Sequence, residues 1–323
     1  MAQDNNAHSR IHLSAGDDAE NTLYPRYLAA KKGIDDRSLN SHVWETLRQA
    51  LPQTAGHEKF RILEIGAGIG TMFARLVDRG LLNGPAEYLA TDSDAGHLRA
   101  ARGYLSQWAA DRGHVLSWQD ERHGRLRSDH TEVSLLLDHV SAEELAKRSP
   151  AIGPFHLLIA HAVLDLVDFP AVLPPLLTHL TAGGLACLTC NFDGETVFLP
   201  EFHGMEEEEI IRRYHASMEK RLSGASRTGR RLLAYLQRPG LELLAAGSSD
   251  WVVHPRGGRY SGDEAFFLHA IIATVERQLA GENDPPSDLA DWADLRHRQI
   301  EAGELSFLAR HLDLLARRLP PPP

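Results

Sequence analysis

FRILEIGAGIGTMFARLV, residues 60–77, decides the reading of this chain. It opens on a short apolar run, Ile62-Leu63-Glu64-Ile65. Gly66, Gly68 and Gly70 follow at alternate positions, and then Met72, Phe73, Leu76 and Val77 recur at helical spacing. The pattern predicts a strand, a tight turn and a helix. Glycine lets the backbone turn sharply and approach a ligand where a Cβ would collide. The helix that begins there presents unpaired N–H groups close by. Taken alone, the same pattern fits a strand-to-helix turn in any α/β domain. Two details separate the possibilities. The dinucleotide pattern G-x-G-x-x-G wants glycine at position 71, where Thr71 stands. Glu64, near the end of the strand, instead produces E-x-G-x-G-x-G.

That arrangement resembles motif I of the class I S-adenosylmethionine-dependent methyltransferases, well over roughly residues 40–195 and loosely elsewhere. The resemblance implies an α/β fold: a Rossmann-like, seven-stranded mixed sheet, parallel with one antiparallel edge strand, sandwiched by helices, with helical insertions forming a lid. It implies S-adenosylmethionine as cofactor and S-adenosylhomocysteine as product, with Glu64, Gly66, Ala67, Gly68, Gly70 and Met72 at the cofactor. Glu87 to Asp92 reads as a second strand ending in an acid, 22 positions after Gly70, which suits one βαβ step. A carboxylate there accepts hydrogen bonds from both ribose hydroxyls. Asp92 matches the acid of motif II, with Ser93 beside it, while Asp94 is better suited to capping the helix over 95–110. A purely structural acid at position 92 is the alternative.

Val115 to Trp118 and Gly124 to Arg127 suggest a small extra hairpin. Val133 to Leu137 is a third core strand, closed by Asp138-His139-Val140. By resemblance Asp138 holds the adenine amino group, with His139 next to it. Ser141 and Glu144 form a capping box for the helix that follows. Phe155 to Ala160 is a fourth strand running into His161-Ala162-Val163-Leu164-Asp165. Ligands of open parallel sheets sit beyond the carboxyl ends of the strands, near the switch in strand order. The family places strands one and four at that switch, so His161 and Asp165 face the transferred methyl group. His161 is a candidate general base for a substrate hydroxyl or amine; shaping the pocket is the competing role. Leu185 to Cys190 is a fifth strand, approached through Thr181-Ala182-Gly183-Gly184, where Ala182 replaces the proline of the family's L-x-P-G-G.

The flanks are helical. Residues 21–51 carry two helical patterns, the second capped by Ser38 or Ser41. In methyltransferases of this kind such a segment lies over the cofactor as a lid, which makes Arg26, Tyr27 and Arg37 candidates for cofactor or substrate contacts; surface arginines on an outer helix are the alternative. Beyond the core, Glu206 to Glu209 opens an amphipathic helix with Ile210, Ile211, Tyr214 and Met218 on its apolar face. Helices over 226–236, 260–279 and 289–301, a sixth strand at 241–247 and a last strand near 305–312 complete the pattern. The expected organisation is a flexible tail (1–20), a helical lid (21–55), the cofactor-binding core (56–194), a helical insertion (195–238), a core strand (239–259), a second helical insertion (260–303) and a last strand with tail (304–323). Tyr27, Asp165, Asn191, Tyr214, Arg230 and Trp251 are candidate substrate contacts, for a small-molecule acceptor. The N/D-P-P-F/Y motif of nucleic-acid amino methyltransferases is missing after strand four.

A formal charge of −10 argues against wholesale nucleic-acid binding, and the arginine and lysine cluster over 212–231 fits a solvated helix face. No stretch is long enough to span a membrane, and the N-terminal residues lack the apolar core of a signal peptide. The two cysteines, Cys187 and Cys190, sit in an apolar strand, so no metal or redox centre is expected from them. The expectation is a cytoplasmic, monomeric or homodimeric protein of bacterial composition. Two alternatives stay open: a non-catalytic binding or interaction module on the same fold, and an NAD-dependent oxidoreductase, disfavoured by Thr71 and the strand-end acids.

Overall fold

A computed structural model describes residues 17–51, 59–82, 84–128, 130–148, 152–202, 207–222 and 224–320. Most of the expected N-terminal tail, Glu206 and residues 321–323 lie outside the described residues.

The strands are β1 (Phe60–Ile65), β2 (Gly84–Asp92), β3 (Val115–Trp118), β4 (His123–Arg127), β5 (Thr131–His139), β6 (Phe155–His161), β7 (Leu180–Leu199), β8 (Leu241–Ser248), β9 (Trp251–Val253) and β10 (Ser306–Arg318). They form one sheet in the order β3-β4-β5-β2-β1-β6-β7-β10-β8, with β9 on β10. The central run β5-β2-β1-β6-β7 is parallel. The apolar run that begins the glycine motif is therefore its middle strand, and β1 and β6 are buried along almost their whole length, as parallel strands covered on both faces must be. After β1 the chain moves outward to β2 and β5, then returns to place β6 on the other side of β1. The strand order thus switches between β1 and β6, and a crevice opens there at the carboxyl edge.

The sheet departs from the expected seven strands in three ways. The antiparallel strand is not at the edge: β10 lies between β7 and β8 and is antiparallel to both. The β3–β4 hairpin joins the sheet, with β4 antiparallel to β5, and so covers an edge that would otherwise be open. The fifth strand does not stop at Cys190. β7 continues to Leu199, and its last residues, Thr196 to Leu199, pair with Ser306 to Ala309 of β10. These two long strands project past the crevice and carry a roof.

The helices are α1 (Asp17–Ser38), α2 (Ser41–Ala50), α3 (Thr71–Asp78), α4 (Ala95–Asp111), α5 (Ala142–Lys147), α6 (Phe169–Thr178), α7 (Glu207–Arg221), α8 (Thr228–Tyr235), α9 (Glu264–Ala280) and α10 (Leu289–Ala302). Asp94 caps α4, and Ser141 with Glu144 forms the capping box of α5. The cap of α2 is Asn40, whose side chain accepts from the Val43 N–H, rather than either neighbouring serine. Helices α2, α3 and α4 cover one face of the sheet through Trp44, Leu47, Phe73 and Trp108. Helices α5, α6 and α8 cover the other through Leu145, Leu173, Leu176 and Leu232. A third core, built on Ile34, Phe198, Ile210, Phe267, Trp292 and Phe307, joins α1, α7, α9 and α10 to the projecting ends of β7 and β10. This third core is the roof over the crevice.

Candidate active site

The turn after β1 is closely packed. Gly66 has φ +63°, and a Cβ there would come within 2.5 Å of Val163. Gly68 has φ +55°, and its Cβ would meet Leu28 of α1 at 2.9 Å. Both the backbone conformation and the close approach of a neighbouring side chain require glycine. The turn also uses its own donors. The Ala67 N–H donates to Thr91 O at 2.9 Å, the Gly70 N–H to Ala67 O at 2.9 Å, and the Gly68 N–H to Asp92 Oδ2 at 2.8 Å. These three N–H groups are consequently not free for a phosphate.

Asp92 ends β2 and is 7% exposed. Its Oδ1 accepts from the Asp94 N–H at 2.9 Å and lies 3.1 Å from His97 Nδ1. Burial raises its pKa, but the hydrogen bonds from His97, Asp94 and Gly68 outweigh that and hold the carboxyl below its ordinary range. Tyr24 of α1 stacks on His97 with ring centroids 4.9 Å apart. Glu64, 2% exposed, accepts from the Tyr88 hydroxyl at 2.7 Å. Burial nonetheless pushes its pKa up to about 8.

A buried polar network ties α1 to the sheet. Asp35 meets Lys31 at 2.9 Å, His161 Nε2 at 3.0 Å and Arg75 of α3 at 3.9 Å. Burial opposes the charge on Asp35, but Lys31, His161 and Arg75 overcome it and hold the carboxyl far below its usual range. His161 Nδ1 lies 2.8 Å from the Thr189 hydroxyl. A carboxylate only accepts, so Nε2–H donates to Asp35 and Nδ1 accepts from Thr189. Burial, only partly offset by Asp35, lowers the His161 pKa to about 4. The imidazole is neutral with both nitrogens engaged, and no lone pair is left to take a substrate proton. This geometry corrects the general-base expectation for His161. Asp35, His161 and Cys190 bring ligand-type atoms within 4.8 Å of one another, but the Lys31 ammonium already supplies the cation there. Ala162, just after β6, and Cys190, within β7, have φ of +52° and +54°. Such strain in non-glycine residues tends to gather at functional sites.

The crevice and its roof enclose a cavity of about 1480 Å³. Glu64, Gly66, Ala67, Gly68, Asp92 and Ser93 line its floor along the glycine turn. His161 and Asp165 line it after β6, and Tyr27, Tyr214 and Trp251 line it from the roof. The structure thus brings these eleven sequence candidates into one space. Seven others lie elsewhere. Gly70 is the left-handed residue before α3, packed against Leu105, and Met72 is in the core of α3. Asp138 is ion-paired with Arg122 and, at 3.3 Å, with Arg148, away from the cavity. His139 contacts Ser93 O. Val140, Ala142 and Glu143 form the wall after β5 instead. Arg37 is held by Glu264 at 2.6 Å and donates to Val252 O. Asn191 donates to Leu188 O and Leu312 O where β7 meets β10. Arg230 is paired with Asp193 at 2.8 Å. Arg26, also read as a possible contact, lies over the Phe266 ring at 4.0 Å.

No protein-family model matches the chain, and no curated protein matches it in sequence. Among solved structures it is similar to a SAM-dependent methyltransferase from Thiobacillus denitrificans in complex with S-adenosyl-L-homocysteine, at 14% identity and a TM-score of 0.41, over 85% of this chain and 92% of that one. It is similar to Haemonchus contortus phosphoethanolamine N-methyltransferase 2 in complex with S-adenosyl-L-methionine, at 12% identity and a TM-score of 0.40, over 87% of this chain and 52% of that one. It is also similar to a geranyl diphosphate methyltransferase in complex with GPP and sinefungin, at 12% identity and a TM-score of 0.38, over 85% of this chain and 76% of that one.

Proposed function

We propose that this chain is an S-adenosylmethionine-dependent methyltransferase acting on a small-molecule acceptor. The observation that carries the reading is the joining of the glycine turn to Asp92 through the Gly68 N–H, at the switch point of a parallel sheet and inside a roofed cavity. S-adenosylmethionine supplies an electrophilic methyl group on a sulfonium sulfur. The residues present suit that group. Asp92 keeps an acceptor site on Oδ2 for a ribose hydroxyl, and its depressed pKa keeps it an acceptor. Asp92, held ionised, puts negative charge beside the turn, which favours a cationic ligand. The same charge, together with N–H groups already used within the turn, disfavours the pyrophosphate of a dinucleotide. Val140, Ala142 and Glu143 would flank the base, in place of Asp138. The roofed crevice suits an acceptor of small-molecule size.

The test is product formation. Purified protein incubated with S-adenosylmethionine and a small-metabolite extract is expected to release S-adenosylhomocysteine above the level seen without extract. Release that does not depend on the extract, or none at all, counts against methyl transfer.

A further inference from the structure

Asp165 is the unexplained group in this cavity. It follows β6 by four residues, lines the cavity, and makes no salt bridge among the described residues. Its Oδ1 is buried and accepts no hydrogen bond. A buried carboxyl oxygen without a partner is destabilising, and a native structure that keeps one calls for a reason. The surroundings are aromatic. Tyr24, Tyr27 and Tyr214 all line the same cavity, and each feels the charge of Asp165. Phe266 and Trp251 continue the wall. The cations whose charge acts on it are Lys31, already paired with Asp35, and Arg221. An acid with an open acceptor, framed by aromatic rings, is the chemistry that receives an organic ammonium: the carboxylate supplies the counter-charge and the ring faces attract the cation.

We infer that Asp165, with Tyr24, Tyr27 and Tyr214, receives the amino group of the methyl acceptor and takes a proton from it, so that the substrate is an amine that enters as its N–H-bearing ammonium. The inference deepens the methyl-transfer reading and rests on it for the fate of the amine. An ammonium has no lone pair to accept a methyl group. Transfer of one proton to Asp165 breaks an N–H bond, leaves its electron pair on nitrogen and forms the carboxyl O–H. The freed pair then forms the N–C bond while the S–C bond breaks with its electrons staying on sulfur. The product leaves as a methylated ammonium, and Asp165 returns its proton to solvent. Burial, which outweighs the hydrogen bond from its own backbone N–H and the charges of Lys31 and Arg221, raises the Asp165 pKa and suits the carboxylate to that exchange.

The experiment compares probes of opposite charge and similar shape. The protein is titrated calorimetrically with phenethylammonium chloride and with sodium phenylacetate, with and without S-adenosylhomocysteine, and Asp165→Asn is treated alike. The wild type is expected to bind the ammonium at least about tenfold more tightly than the carboxylate, and Asp165→Asn to lose that preference while its affinity for S-adenosylhomocysteine changes by less than about twofold. Equal binding of the two probes, binding of neither up to about 10 mM, or a preference that survives the substitution would overturn the inference. A tenfold or greater loss of S-adenosylhomocysteine affinity would assign Asp165 to the cofactor's own ammonium, and overturn it equally. If Asp165→Asn does not fold, the wild-type probe comparison decides alone. Failure of the wild type to bind S-adenosylhomocysteine is a separate outcome. It removes the cofactor reading and leaves the amine site to the titration run without that ligand.

Discussion

Asp35→Asn should loosen the attachment of α1 to the sheet, and its magnitude follows from what the carboxylate holds. Asp35 is 1% exposed and meets Lys31 at 2.9 Å, His161 at 3.0 Å and Arg75 at 3.9 Å. The substitution keeps the shape and removes the charge. Arg75 retains Asp36 at 2.5 Å, but Lys31, 5% exposed, loses its carboxylate partner and keeps its place over the Trp251 ring. Removing one partner of a buried pair costs about 3–5 kcal/mol, because the other charge stays buried. The amide oxygen still accepts from Lys31, so the lower end, about 3 kcal/mol, is expected at pH 7. The folded-state pKa of Asp35 lies below its unfolded value of about 3.9, so its contribution is present above that pH and fades as pH falls below it. Urea unfolding followed by tryptophan fluorescence, at pH 7 and again near pH 3, reads both effects. The gap between wild type and variant should be full at pH 7 and smaller in acid. A gap under about 1 kcal/mol at pH 7, or one that widens on acidification, would refute the assignment of Asp35 as the charge that pins α1.

Two further outcomes bear on the floor of the cavity. Asp92→Ala should weaken S-adenosylmethionine binding by at least about tenfold, by loss of the ribose acceptor; unchanged affinity in a calorimetric titration would remove that role. Glu64, raised to about 8 by burial, favours its protonated form when folded, so its contribution to stability declines as pH rises from its unfolded value towards 8. Glu64→Gln should therefore gain in melting temperature relative to wild type between pH 5 and pH 8, and a constant difference across that range would argue that Glu64 is not desolvated.

The central sheet was legible because it is written in local signals. Apolar runs end in glycines at β1, in acids at β2 and β5 and in a histidine at β6, and each helix that follows is periodic or capped. What the sequence concealed depends on distant partners. Lys31 and Asp35 look like an ordinary exposed pair one helical turn apart, and nothing nearby announces that Arg75 and His161 bury them. Asp138 occupies a plausible strand-end position, but Arg122 and Arg148 claim it from both sides. Arg37 reads as a free lid residue until Glu264, far along the chain, is brought beside it. The polar stretch after Cys190 resembles a loop, yet it is strand because β10 supplies its hydrogen bonds from more than a hundred residues away. Tyr24 and His97 gained a place at the cavity through their stacking, which no spacing in the sequence suggests.

The most direct measurement is a parallel calorimetric titration of the protein with S-adenosylmethionine, S-adenosylhomocysteine and NAD. Binding of the first two at about micromolar affinity, with none for NAD, is the expected result. Binding of NAD alone, or of none of the three, would contradict the proposed cofactor.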